Sequence, residues 1–473
     1  MKSIVMIAYN FPPNGGAGVY RPLRFVRHLP SMDWHPTVVA ADTKRQGRYD
    51  PGLLSLVPDQ VEVVRVLGQD TWQRFLASRD ERDKKMLSGG DPEKISKIKN
   101  AQTSVLRSSL RNMVRWGEGW CYHPDLAMPW IKPAVRATVE VCQRISAKVI
   151  WVTGGPWSSF VVARRASLQT GVPYVLDFRD SWTLAPPPFE TTRPEWAKRR
   201  DRRLLFQLFK EAQAVTFRYH SEAECYWRAY TGALDPSRIH IIPNGFDGTI
   251  EEFSSTVSSQ AKCMVLYAGT ITPYRYDTFL QGLSLLKKTD PSLVRHLQLL
   301  FVGDGMDVLA RAASTLQISD IVKTRSTVSY AEVCRLQEEA SALLLLGLIP
   351  MKGYELCGSK VFSYLKAGRP IIGVVPQDEM KNVLHQVGVG TIADIDSPSE
   401  IASVLRQVLE AWQKNKISSL LPDRKACEIY SAERQTVALV AALAGEPPVE
   451  AFVPGTVEIP RSLRGGIGGK GWL

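Results

Sequence analysis

The sequence predicts an α/β protein of two Rossmann-like domains facing each other across a cleft, and three observations carry the prediction. Short apolar runs alternate with amphipathic helical stretches. Several of those runs end in turns containing glycine. The whole pattern starts again past the middle of the chain. At 473 residues, the length suits two or three domains with cores that need no covalent staples.

In chain order, "SIVMIAY" reads as a first strand. It carries an apolar run too short for a signal peptide and leads straight into a glycine turn. The helix-like "RPLRFVRHLPSM" follows, then the strands "HPTVVAA", "KVIWVTG", "YVLDFRD", "AVTFRY" and "IHIIPNG". The Ser-rich stretch 249–261 is the linker candidate. Beyond it come the strand "CMVLYAG", the helix "YDTFLQGLSLLKK", the strand "LQLLFVG", the helix "MDVLARAASTL" and the strand "SALLLLG". The expected division is a first domain over 1–248 and a second over 262–425, with a helix over 426–445 and a flexible Pro- and Gly-rich tail over 446–473.

The longest apolar run, "ALLLLGLI", falls far short of the roughly 18 residues that span a bilayer. Seven cysteines form no CxxC pair and no cluster with histidine, which argues against a disulfide framework or a zinc site and fits a reducing cytoplasm. A formal net charge of +12 implies an anionic partner: nucleic acid, acidic lipid or a phosphorylated substrate. No helix-turn-helix, zinc-finger or RNA-recognition signature supports the first of these.

In open α/β sheets ligands bind beyond the carboxyl ends of the strands, so the turns there are the candidate sites. In "YNFPPNGGAGVYR", Gly15, Gly16 and Gly18 let backbone approach a ligand at a helix start, or simply make a tight turn. In "DFRDSW", Asp177 and Asp180 flank Arg179; they suit sugar hydroxyls or a leaving group, or else an ion pair closing the strand end. In the second half, Gly269 and Arg275 follow the first strand and Gly303 sits in "VGDG". "YELCGSKVFSYLKAGRPI" then opens a helix at Gly358, Ser359 and Lys360. Free N–H groups at such a start, with Arg275 and Lys360 nearby, would hold a diphosphate without a metal; the alternative is ordinary helix capping by Ser359.

Taken in order, "YNFPPNGGAGVYR", "DFRDSW", "IIPNGFD", "YAGTITPYR", "VGDG" and "GSKVFSYLKAGRPII" resemble the retaining nucleotide-sugar glycosyltransferases of the GT-B fold, in the large family 4 group of bacterial polysaccharide and glycolipid enzymes. The resemblance implies a nucleoside diphosphate sugar as donor, no metal or other cofactor, and a glycan acceptor that is often lipid-linked. It places Glu355 on the hydroxyls of the transferred sugar and the Gly358–Lys360 helix start on the distal phosphate. Arg275 falls on the diphosphate, with Lys360 replacing the second basic residue of many relatives. The family's ribose-binding glutamate falls on Ser363, a neutral residue. Gly15, Gly16 and Gly18 would approach sugar and diphosphate, Asp180 the acceptor or donor sugar, and residues 323–330 the base. Asn244 and Asp247 would shape the interdomain floor or merely cap a turn. The resemblance also implies same-face transfer, with the departing phosphate assisting deprotonation and no dedicated protein nucleophile.

Residues 70–116, basic and helix-like with Trp72 and Trp116 at the ends, interrupt the alternation as an insert. Together with "EWAKRRDRRLLFQLF" they suit an anionic membrane surface, which gives a cytoplasmic protein peripheral on the inner face of the plasma membrane; the alternative is a solvated basic face. A sugar-nucleotide epimerase of the same architecture and a non-catalytic relative remain the competing readings, the second because of Ser363.

Overall fold

The computed structural model describes residues 2–42, 49–68, 122–184, 194–253, 261–271, 274–348, 358 and 360–455. The basic insert, Glu355 and Ser359 lie outside the described residues. The chain divides into two compact units, Met1–Pro243 with Thr436–Leu473, and Asn244–Gln435.

The first unit is a seven-stranded parallel sheet. Its strands are β1 (Lys2–Ile7), β2 (Trp34–Ala41), β3 (Val63–Val66), β4 (Val149–Thr153), β5 (Tyr174–Phe178), β6 (Ala214–Phe217) and β7 (Ile239–Ile241), in the order β3-β2-β1-β4-β5-β6-β7. Parallel strands need crossovers, supplied here by helices α1 (Ala17–His28), α2 (Ile131–Arg144), α3 (Ser158–Thr170), α4 (Glu195–Glu211) and α5 (His220–Ala229). The strands read as near-continuous apolar runs because both faces are covered. Val5, Ile7, Ile150, Val152, Leu176 and Phe178 pack on one face with Trp130, Phe160 and Phe209. The intervening Ile4, Met6, Val149, Trp151 and Val175 pack on the other with Phe25 and Val26.

The second unit has six parallel strands: β8 (Cys263–Ala268), β9 (Leu297–Val302), β10 (Val322–Arg325), β11 (Ala342–Leu346), β12 (Ile371–Val375) and β13 (Ile392–Asp394), in the order β10-β9-β8-β11-β12-β13. Its helices include α6 (Tyr276–Thr289), α7 (Met306–Thr315), α8 (Tyr330–Glu339), α9 (Lys360–Lys366), α10 (Glu379–Gln386) and α11 (Pro398–Gln413). Val265, Tyr267, Leu299, Phe301, Leu344 and Leu346 form its core against Phe279, Leu283 and Leu405. Both sheets reverse strand order beside their first strand, between β1 and β4 and between β8 and β11.

The linker candidate and the Pro- and Gly-rich end are both held in part. Within 249–253, the Glu251 amide donates to the Lys366 carbonyl at 2.8 Å, and Arg424 and Arg369 donate to the Ile250 and Glu252 carbonyls. The Pro- and Gly-rich end begins as packed chain: Phe452 is buried, and the Gly455 amide donates to Glu224 at 3.0 Å. An aromatic anchor and a buried carboxylate hold it despite a composition that suggested flexibility. Helix α12 (Ala432–Ala444) crosses the boundary between the units in sequence, and its Leu439, Ala442 and Leu443 belong to the first unit's core.

One buried pair sets the carboxyl edge of the first sheet. Asp177, in β5, is fully buried and accepts from Arg21 Nη2 at 2.7 Å, from Arg21 Nε, from Thr153 at 2.8 Å and from Thr216 at 2.6 Å. Arg21, from α1, is 2% exposed and also donates to the Pro243 carbonyl at 3.0 Å. These bonds join α1, β4, β5, β6 and the last residue before the second unit. Asp177 is therefore structural, the ion-pair alternative for this residue. Replacing it with alanine leaves a buried guanidinium without its counter-charge, so Asp177→Ala is expected to lose about 3 to 5 kcal/mol of stability. Guanidinium denaturation followed by tryptophan fluorescence measures this, and a loss under about 1 kcal/mol would refute the role.

Candidate functional site: two strand-end crevices

In the first unit, the turn after β1 carries Gly15, Gly16 and Gly18 into α1. Gly16 has φ +110°, and among the described residues no atom stands within 4 Å of the place a Cβ would take. The turn thus needs glycine for its backbone. Pro22, inside α1, has no N–H to offer the Gly18 carbonyl, which loses its helical donor.

Gly18 faces the guanidinium of Arg179, which occupies the space a Cβ there would fill. Arg179 in turn donates to the Gly154 carbonyl at 3.0 Å and to the Gly155 carbonyl, so one side chain bridges the turns after β1 and β4. Burial pulls the Arg179 guanidinium below its ordinary range, partly offset by Asp180 and Asp177. Asp180 lies 3.3 Å from Arg179 Nε with its side chain 55% exposed. Ser181 donates to Glu222 at 2.7 Å, and Glu222 pairs with Arg218. The hexapeptide "DFRDSW" is thereby split: its first aspartate closes the core, while its second reaches solvent beside a buried cation.

In the second unit, Gly269 (φ +138°) and Gly303 (φ +144°) end the neighbouring strands β8 and β9. Gly269 N–H donates to the Val302 carbonyl at 2.7 Å and Gly303 N–H to Arg325 at 3.1 Å. A Cβ on Gly303 would strike the Gly269 carbonyl, so the two turns pack backbone to backbone. Lys360, the first residue of α9, lays its side chain over Gly269. Its Nζ donates to the Tyr267 hydroxyl at 2.7 Å and stands 4.3 and 4.4 Å from the ring centroids of Tyr267 and Tyr274.

Burial lowers the Lys360 ammonium to about 8 and pushes both phenols up. Among the described residues no carboxylate pairs with Lys360. Its neighbours there are two π-faces and a hydroxyl, none of which carries a counter-charge.

The other sequence-derived candidates divide. Lys360, Gly269 and Gly303 come together at the carboxyl ends of β8 and β9. Arg275, the residue before α6, turns to Asp396 at 2.7 Å and Asp277 at 3.6 Å, so its charge is already countered. Ser363 donates to the Lys360 carbonyl at 2.8 Å, an i−3 bond within its own helix. Gly358 is half-buried, while Glu355 and Ser359 lie outside the described residues. The Asn244 carbonyl accepts from Gln435 at 3.0 Å. Among the described residues no group of three His, Cys, Asp or Glu is placed to hold a metal ion. Sequence reasoning missed Arg21, Tyr267 and Tyr274; the tyrosines' position beside a glycine turn was the signal available.

Residues 99–245 match the family model of the glycosyl transferase 4-like domain. No curated protein matches the sequence. Among solved structures, a sucrose-phosphate synthase from Thermosynechococcus elongatus is similar at 12% identity and TM-score 0.55, covering 93% of this chain and 98% of that one. A glycosyltransferase from Rickettsia africae aligns at 9% identity and TM-score 0.57, covering 94% and 98%. A mutant of TarM from S. aureus, solved with fondaparinux, alpha-GlcNAc-glycerol and UDP, aligns at 10% identity and TM-score 0.54, covering 94% and 100%. The fold is that of the GT-B glycosyltransferases.

The depressed Lys360 gives a pH signature. Between about pH 8 and the ordinary lysine value of 10.5, the unfolded chain holds a proton that the folded chain has lost, so stability rises with pH across that window. Relative to Lys360→Met, the protein is expected to gain about 3 kcal/mol over the window. Urea denaturation of both proteins at pH 7 and pH 10 reads the difference; parallel changes would mean the ammonium is solvated.

Proposed function

We propose that this GT-B chain, with its glycosyl transferase 4-like domain, transfers a sugar from a nucleoside diphosphate sugar to a glycan acceptor, retaining the anomeric configuration. The observation that supports the reading best is Lys360, a half-buried cation without a carboxylate partner among the described residues, held over the Gly269 turn at the end of β8, where the second sheet reverses its strand order. A diphosphate there would exchange the π-faces for a full counter-charge, and leaving-group stabilisation of this kind needs no metal.

Glu355 would hold the hydroxyls of the transferred sugar, and Arg275 would leave Asp396 to reach the diphosphate. The first unit would offer the Gly15–Gly18 turn and Asp180 to sugar and acceptor. The acceptor on this reading is lipid-linked, in cell-surface polysaccharide or glycolipid synthesis, and the enzyme docks peripherally through its basic segments. In keeping with this, among the described residues no helix is long and apolar enough to cross a membrane.

Thermal unfolding with UDP, GDP, ADP and TDP tests the donor site. One nucleotide at about 100 times its dissociation constant should add about 2.7 kcal/mol. Lys360→Ala should abolish the gain. Affinity should fall as pH rises past about 8, because only the protonated amine attracts the phosphates. Protein that responds to none of the four nucleotides, or equally with and without Lys360, would refute the reading.

Ser363 gives a second test. A charged acceptor bonds a ribose hydroxyl more strongly than a neutral one, so Ser363→Glu is expected to tighten the preferred nucleotide by about tenfold. Calorimetric titration decides, and unchanged or weaker binding would remove the ribose from this position.

A further inference from the structure

Away from the strand-end crevice of the first unit, a cavity of about 490 Å³ opens between α2, α3 and α4. Its floor includes the apolar Ile131, Val161 and Leu204, and its rim carries Lys132, Arg164, Arg165, Arg200 and Arg203. Arg164 is engaged by Glu211 at 2.7 Å. The other four cations are exposed, and none of them forms an ion pair among the described residues. Asp201, next to Arg200 in α4, is buried and turned to His123 at 2.9 Å.

The placement follows from helix periodicity. Arg200, Arg203, Leu204 and Gln207 fall at i, i+3, i+4 and i+7 and share one face of α4. Lys132 enters from the first turn of α2 and Arg165 from the middle of α3. Three helices thus converge uncompensated positive charge on an apolar hollow of ligand size. Like charges gathered this way repel one another, and a phosphate with several oxygen acceptors relieves that repulsion through bidentate guanidinium bonds.

We propose that this cavity binds one anionic phospholipid of the bilayer surface, its phosphate headgroup on Lys132, Arg165, Arg200 and Arg203 and the start of an acyl chain on Ile131, Val161 and Leu204. The commitment to a lipid rests on the pairing of cationic rim with apolar floor, since a free phosphate would use only the rim. The site is separate from the proposed donor crevice, and it gives the proposed membrane docking a discrete pocket.

The test is co-sedimentation of the full chain with phosphatidylcholine vesicles containing phosphatidylglycerol, at low salt. Each arginine near an anionic surface is worth about fivefold in partitioning, so the triple variant Arg165→Gln, Arg200→Gln, Arg203→Gln should bind on the order of a hundredfold more weakly. Lys132→Gln with Arg165→Gln, on two other helices, should lose about 25-fold by the same count. Leu204→Gln should weaken vesicle binding while leaving binding of glycerol phosphate unchanged. Vesicle binding by the triple variant equal to that of the unmodified protein would place the lipid contact elsewhere and overturn the proposal. So would vesicle binding by Leu204→Gln equal to that of the unmodified protein, which would make the site one for free phosphate. Nucleotide-induced thermal stabilisation, expected to persist in the triple variant, shows that it is folded and keeps failure of this site distinct from failure of the donor site.

Discussion

The buried contact between Arg21 and Asp177 is the constraint on which the first unit's candidate site depends. A guanidinium and a carboxylate taken out of water cost more than their attraction returns unless every remaining lone pair and proton is satisfied. Here Thr153, Thr216 and the Pro243 carbonyl supply those partners. The geometry is therefore stringent: α1, three strand ends and the exit from the unit must hold one mutual arrangement. Such pairs act less as a source of stability than as a specification of register.

That specification is what lets Arg179 work two residues later. The Arg179 amide bonds the Asp177 carbonyl, and its guanidinium reaches both glycine turns. A residue slip in β5 would exchange the inward aspartate for a neighbour and withdraw the bridge. The second unit reaches a related result by other means. It has no comparable arginine at its reversal point among the described residues, but a lysine from the following helix lies over a glycine turn, screened by two tyrosine rings. In both units a cation is kept in low-dielectric surroundings beside a glycine turn.

Much of the architecture was legible because strands buried on both faces leave runs such as "VIWVT" and "LLLL" that resist other readings. The strands that escaped notice are chiefly edge elements. β3, β10 and β13 are three or four residues long and half-covered, so their sequences carry too little apolar signal. β12, "IIGVV", was legible only as the stop after a helix, because a glycine interrupts it. The site was legible in kind and not in detail. Asp177 and Asp180 are chemically identical in sequence, and the end of a strand between them decides which is core and which is surface. Arg21 and Asp177 stand 156 residues apart, and no local pattern announces such a partner. Residue types could nominate Arg275 as a phosphate ligand but could not show that Asp396 already holds it.

Helix α12 has a bearing on how the protein is made. Leu439, Ala442 and Leu443 complete the same apolar layer as Ile4, Met6, Trp34 and Trp151. The last strand of that sheet, β7, ends at Ile241, and Leu439 lies nearly 200 residues downstream. At ribosomal speeds that interval lasts roughly 10 to 40 s. Through that time the emerging first unit has its full sheet, with α1 on this face but the part that α12 covers still open, while the second unit is being translated. The last helix of the amino-terminal fold is thus added only after the second unit has been translated, and any chain stopped short of α12 would leave the ribosome with part of that face bare.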